Sequence, residues 1–557
     1  MTDPRSDARR DVGEPAGDAV VGDAVTGVSP DAAVAARGPV VGGSASADNA
    51  AAGTVSADDA AGAQAGTAPA ASAEAPVRPV PAPRHPSGRF GPVRLGIGLV
   101  VAVVAASLGV SVAVLPVSGL LPAAAGDRAA VELAALPPAG PSIATCAGPV
   151  LAAGRDSANA SVLADAAPQA LTEGAAGGVA PETTTLRAPD VADGAGPTVL
   201  TVPPIDGAVT DLAAAGSATV AASDLSGFAA SACTRAAMES WIVAGSATTG
   251  AADLVVLANP GDVAAQVTIT VYGATGQTVP AAGSGIVVAA GTQRVVPLAA
   301  LALGEENPIL QITAAEAPVR ASLQASLTRI LVPGGLDQVG ASAVPTEQIV
   351  IPGVPVVTAP GAAGESDVAT SLRLLAPAAD ANASVVILRN GGAGGATSQP
   401  QDVALTAGIP LQLDLSGLEV GTYTVVVTAS APVTGAVRAA SGFGAGSDFG
   451  WFAAADEVTA PALAAVADGP APQLTLASTS DAAQTVGLTG IDGARTDVTV
   501  PAGGSVTVPV TAGAVYRIEP GDDGIRAAVT YATGGAVAGY PVPAGDAAAS
   551  AITVYPR

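Results

Sequence analysis

A single histidine, His85, and the complete absence of lysine set the chemistry open to this chain. His85 stands before a long apolar stretch, so everything beyond residue 116 is without imidazole. A Ser-His-Asp or Cys-His nucleophile there lacks its base, and a histidine metal site lacks its ligands. Without lysine there is no Ser-Lys dyad and no Schiff base. What remains is carboxylate chemistry. Glu305-Glu306, Asp456-Glu457 and Asp522-Asp523 are adjacent pairs. Glycosidase carboxylates must face one another across a substrate, about 5–10 Å apart. Neighbours on a strand point to opposite faces, so these pairs read as solvated loop acids. Asp492-Gly493 and Asp522-Asp523-Gly524 lack the alternating carboxylates of a calcium loop. Trp241 and Trp451 could stack on a sugar, but aromatics make up only 2% of the chain, so packing at module junctions is the expectation. The reading is of a non-enzyme with no catalytic residue, metal or cofactor.

The only cysteines are Cys146 and Cys233. An even pair in one exported region is most simply a single disulfide. The loop-entropy model gives such a long loop about 4–5 kcal/mol as an upper figure. The other reading is two separate buried thiols.

The stretch that places these residues in a compartment is Leu95–Leu115, uncharged, with nothing more polar than Ser107 and Ser111. A helix of that length crosses a hydrocarbon core of about 30 Å. Arg78, Arg84, Arg89 and Arg94 precede it with no acid between Pro76 and Arg94. The positive-inside rule then puts residues 1–94 in the cytoplasm and residues 116–557 outside. A cleaved signal peptide ending near Pro122-Ala-Ala-Ala125 is the alternative; its usual apolar run is shorter and follows a shorter leader. The expectation is an uncleaved, single-pass signal anchor in the cell membrane.

Residues 1–94 are rich in Ala, Gly, Asp, Ser and Pro, and read as a disordered tail. Residues 116–141 read as a Pro/Ala linker. The net charge is −25. Most of it falls beyond residue 95, so phosphate neutralisation of nucleic acid is not expected. Anionic headgroups should repel this part, although solubility alone explains the charge.

From residue 142 the texture becomes short Val/Thr/Leu runs broken by Gly, Pro, Asp and Asn, as in many short strands. Three landmarks then repeat in order. Leu254-Val-Val-Leu-Ala-Asn259 recurs at Leu372 and Leu474. A strand–turn–strand starts at Ile286, Val403 and Val498, its turn carrying Gly291, Gly408 and Gly503. A last pair, from Ile309, Tyr423 and Tyr516, brings Arg320, Arg438 and Arg526 to comparable places. Each repeat then holds about seven strands in about 95 residues, as an immunoglobulin-like β-sandwich does. The predicted fold is all-β: an N-terminal β-domain over 142–245, then sandwiches over 246–350, 365–460 and 470–557, joined by Pro/Gly-rich linkers and folding semi-independently.

Trp241-Ile-Val-Ala-Gly245, Leu254 to Gly261, Val267 to Gly276 and Ala317-Pro-Val-Arg320 carry a resemblance. They resemble an uncharacterised family of actinobacterial exported proteins with an N-terminal anchor and a β-rich exterior. That resemblance implies a cell-envelope setting, with family members often encoded beside a large glycosyltransferase, and supplies no active site. The expected function is a non-enzymatic extracytoplasmic scaffold or binding protein, assisting glycan synthesis or export. The expected partners are the membrane and envelope proteins or cell-wall glycan; the alternative is a glycan-binding or glycan-modifying protein. A reporter fused after Arg557 should be active only outside the cell and one at Met1 only inside. A mature N-terminus near Gly126 would show cleavage instead.

Overall fold

The computed structural model describes residues 138–545 apart from 156–158, 160, 193–194, 361–367, 392–398, 491–492 and 534, and the backbone of the strands Leu133–Ala135 and Ile552–Val554. The predicted tail, the 95–115 span and most of the linker lie outside these residues. Among the described residues no helix is long and apolar enough to cross a membrane. Pro122–Arg557 forms one compact unit.

The body is all-β in several sheets, and three stretches share one topology. The first repeat has strands Glu239–Ile242, Leu254–Asn259, Ala265–Gly273, Gly276–Thr278, Thr292–Pro297, Ile309–Ala315, Arg320–Arg329 and Val332–Val339. Numbered one to eight, they form one sheet in the order 1-6-3-4 and another in the order 5-2-7-8. A short extra strand, Ile286–Val288, also pairs with the third. Thr346–Val356 to Phe449–Ala453 repeat both orders, with strands six and seven fused into the single Gly421–Ala440. Ala462–Ala465 to Ala536–Pro541 repeat them again. Alternation explains the sheets: Ala265–Gly273 and Ala381–Arg389 bury every second residue along most of their length. Gly291, Gly408 and Gly503 all take positive φ at the turn before strand five, where a side chain would be strained.

The shared plan has eight strand positions where the sequence suggested seven strands, filled by seven strands in the second repeat because two are fused, and the boundaries move. Thr346–Val356, with Pro352 and Pro355, reads as a linker but is the first strand of the second repeat, paired with Gly421–Ala440. A bulge between Ile351 and Val354 accommodates the prolines, with Gly353 at φ 76. The 350 boundary therefore cuts a strand, and the second repeat begins before 365. Likewise Glu239–Ile242 belongs to the first repeat and not to the 142–245 domain. The matched arginines also shift. Arg320 and Arg526 open strand seven, but in the second repeat Thr434 stands at that level and Arg438 lies further along.

The N-terminal module has a different topology. Its strands Ser142–Thr145, Ala195–Val202 and Glu182–Arg187 extend the second sheet of the first repeat to seven strands. The join is a parallel contact between Arg187 and Thr292. The Gln324 amide continues this link, exchanging two 2.7 Å hydrogen bonds with the Leu151 backbone. Cys146 and Cys233 are bonded to each other across this module.

The cores do not stop at module borders. Phe449, Trp451 and Leu375 of the second repeat pack in the core of the first. Phe228 and Ala215 of the N-terminal module pack with the third repeat, where Phe228 meets Tyr531 edge-on at 5.2 Å. Val537 of the third repeat enters the core of the second. A fragment of residues 365–460 lacks its first strand and strips cover from Leu375, Phe449 and Trp451. It should therefore fail to unfold cooperatively in denaturant, while the whole body does so. A cooperative transition in the isolated fragment would show that the modules are independent after all.

Candidate functional site

Four strands meet at the middle of the body. Ser226–Cys233 of the N-terminal module packs against Val332–Val339 and Ala536–Pro541, and Phe449–Ala453 packs against the same two, which closes a ring. At its centre is Asp448, with no exposed surface. Its Oδ2 accepts the N–H groups of Phe228 at 3.0 Å and Val537 at 3.1 Å, and its Oδ1 that of Leu336 at 3.2 Å. The Phe449 N–H adds a fourth. One donor therefore comes from each of the four modules. Gly227 (φ 149) and Gly335 (φ 115) let the backbones come this close. A Cβ on either would lie 2.6 or 2.8 Å from Asp448 Oδ1. A second buried carboxylate, Asp337, accepts the Trp451 N–H at 2.7 Å and the Gln338 N–H at 2.8 Å.

Beside this hub a cavity of about 240 Å³ opens between the first and second repeats. It gathers Asp253, Glu306, Arg373, Arg438, Phe449 and Trp451. The chemistry of the deepest groups is already engaged by the chain itself. Arg373 Nη1 donates to the carbonyls of Gly245 and Pro308, both at 2.9 Å, and Nη2 to Asn307 Oδ1 at 3.0 Å. Its guanidinium lies 4.5 Å over the Trp451 ring. Burial, and secondarily Arg438, lower its pKa to about 9. Asp253 accepts the N–H groups of Ser246 and Ser326, and burial pushes it up to about 6. The arrangement joins two repeats and leaves a polar hollow.

The sequence-predicted residues are scattered. Glu305 accepts the Ala274 N–H at 2.9 Å, Glu457 pairs with Arg526 at 3.3 Å, and Asp523 accepts the Ser480 hydroxyl. Asp492 lies outside the described residues. Trp241 and Trp451 are each 3% exposed, so neither offers an open stacking face. Asp448, Asp337 and Arg373 escaped the sequence reading. Their signal is a charge inside an apolar strand run, as in Ser447-Asp-Phe-Gly-Trp-Phe452, where a solvated loop acid would be out of place.

The family model described as "Family of unknown function (DUF5719)" matches residues 188–511. The chain belongs to this family. The DUF5719 match begins within the N-terminal module and ends in the third repeat, so it takes in Asp448 and the cleft. No curated protein matches the chain. Among solved structures, the "Biofilm associated protein - BSP domain" is 12% identical, with a TM-score of 0.11. The alignment covers 61% of this chain and 64% of that one, an overlap too weak to bear on the fold.

Removing the Asp448 side chain leaves buried N–H groups from four modules unpaired, each worth about 1–3 kcal/mol. Asp448→Ala should therefore cost at least about 3 kcal/mol in urea unfolding of the whole body. Burial also raises Asp448 to about 7, Asp253 to about 6, and Asp337 well above the usual range. Groups raised in the folded state bind more protons there than when unfolded, so stability falls as pH rises through the folded values. Melting temperatures measured at pH 5 and 7.5 should be higher at pH 5. The reverse order would mean that the N–H donors keep these carboxylates ionised throughout.

Proposed function

We propose that the chain is a non-enzymatic scaffold or binding protein of an actinobacterial-type cell envelope. Residues 95–115 anchor it, the body stands outside the cytoplasmic membrane, and it assists glycan synthesis or export. The observation that carries this reading is the hub. A carboxylate holding four modules in fixed relation suits a rigid platform that presents surfaces to partners. The deepest acids, Asp253, Asp337 and Asp448, are engaged by backbone N–H groups, which favours a role without catalysis. In the same reading each repeat is an immunoglobulin-like sandwich. Its support is the pair of facing antiparallel sheets in every repeat.

A glycan-binding or glycan-modifying role is the second reading, favoured by the meeting of Trp451, Phe449 and Glu306 in one cleft. The burial of Trp451 under Arg373 weighs against it. Pulldown of the full chain from detergent-solubilised membranes tests both, with a chain lacking residues 142–541 as control. Recovery of envelope polysaccharide enzymes with the full chain alone is the expected result. Retention on purified cell-wall glycan with no protein partner would overturn it in favour of the second reading.

A further inference from the structure

The strands Arg320–Arg329 and Val332–Val339 form the edge hairpin of the sheet that the first repeat shares with the N-terminal module. Arg329 pairs with Val332, which leaves only Ile330 and Leu331 to make the turn. A two-residue hairpin turn favours left-handed backbone, and Asn-Gly is its usual sequence. Ile330 takes φ 46 and Leu331 φ 71. Among the described residues they are the only large aliphatics with positive φ, which for a β-branched side chain is an outlier. They are also 97% and 89% exposed, more than any other large apolar residue described.

Strain and exposure are separate penalties, and a polar turn would remove both at once. Neither is repaid by packing within the described body, so the use of Ile330 and Leu331 points to something that covers them. The base of the tip has its own chemistry. The Arg329 guanidinium lies 4.5 Å over the Phe443 ring, and both residues are part-exposed. Along the sequence no acid falls between Glu316 and Asp337, and Asp337 is buried. The loop that carries Phe443, Ser441 to Ser447, has no charge. In a chain of net charge −25 the hairpin end is therefore cationic and apolar.

Two aliphatic side chains on a narrow turn fall far short of the roughly 1,000 Å² that a specific protein interface clears. Lipid asks for no matching pocket. Aliphatic side chains enter the acyl region, while an aromatic ring and an arginine hold the level of the headgroups, the guanidinium near phosphate. Ile330 and Leu331 above Phe443 and Arg329 follow that order.

We propose that Ile330 and Leu331 insert into a lipid bilayer, with Arg329 at the level of the headgroup phosphates. The proposal rests on the reading of residues 95–115 as a membrane anchor. Residues 116–137, fully extended, reach at most about 80 Å, which keeps the body beside the bilayer that holds the anchor. A tethered contact needs far less affinity than a free one, so two side chains suffice. The acidic body is repelled by the surface as a whole and touches it at this tip, which sets the orientation of the platform.

The test places a fluorophore beside the tip in the full-length chain. Cys146 and Cys233 are bonded to each other, so one added cysteine is the only free thiol. Val332→Cys carries the label, and Val420→Cys, at the far end of the Gly421–Ala440 strand from Phe443, is the control. Each chain is reconstituted into nanodiscs of phosphatidylcholine and phosphatidylglycerol with nitroxides on the acyl chains. Quenching at 332 should exceed that at 420 at least twofold. The double change Ile330→Asn with Leu331→Gly should bring it down to the level at 420. That variant should melt no lower than the unchanged protein, because its turn residues suit left-handed backbone. Equal quenching at 332 and 420, or quenching at 332 untouched by the double change, would overturn the proposal. Shielding of the label from aqueous iodide without nitroxide quenching would overturn it too, in favour of a second copy over the tip. If the chain stays out of the discs, it is the anchor reading that fails. The labelled chains are then mixed with preformed vesicles of the same lipids, where loss of the difference between 332 and 420 would overturn insertion itself.

Discussion

The Asp448 carboxylate takes a main-chain N–H from each of the four modules, and the geometry of the body follows from that meeting. A bare carboxylate in a dry interior is unfavourable, and among the described residues no arginine forms a salt bridge with this one. Aligned N–H dipoles supply part of the compensation, and they can do so only if four backbone N–H groups converge within hydrogen-bond reach. Backbone donors cannot reorient as side chains do. The requirement therefore fixes where Phe228, Leu336, Phe449 and Val537 lie, and with them the strands that close the ring. Gly227 and Gly335 follow from the same constraint, since a side chain at either would occupy the carboxylate's space.

Around that centre the modules are keyed by polar side chains acting as missing backbone. The Gln324 amide pairs with Leu151 as a neighbouring strand would, and Arg373 gathers carbonyls from the first repeat. Asn390 bridges Thr507 and Ser505 of the third repeat. Each key fits one junction only. The three repeats share a strand order, yet their contacts are not interchangeable. Buried polar groups of this kind specify an arrangement more than they add stability.

The sequence exposed what is local. The glycine turns at Gly291, Gly408 and Gly503 needed only chain stereochemistry to be read, and short Val/Thr/Leu runs between turn residues marked the strands. It also placed the paired acids in loops, where Glu305, Glu457 and Asp523 each meet an ordinary partner. Other features depend on distant chain. Thr346–Val356 looks like a linker because its prolines forbid a regular strand, and only the bulge opposite Gly421–Ala440 makes room for them. Arg438 sits at a plausible spacing, but its level in the sheet is set by pairing with Ser371 and Trp451. Shared cores escape periodicity altogether. A residue buried by the neighbouring module looks no different from one buried by its own.

The donors to Asp448 lie at residues 228, 336, 449 and 537, in an order that matters as the chain is made. A polypeptide emerging from its N-terminus has three of the four donors, and the acceptor itself, long before the last. Until Val537 arrives the ring is open, Asp448 is short of a donor, and the faces of Phe228 and Phe452 that the third repeat covers are bare. The earlier repeats must therefore wait in a part-finished state. Until residue 537 is made, the molecule exposes apolar surface of the kind that makes part-folded chains prone to aggregate.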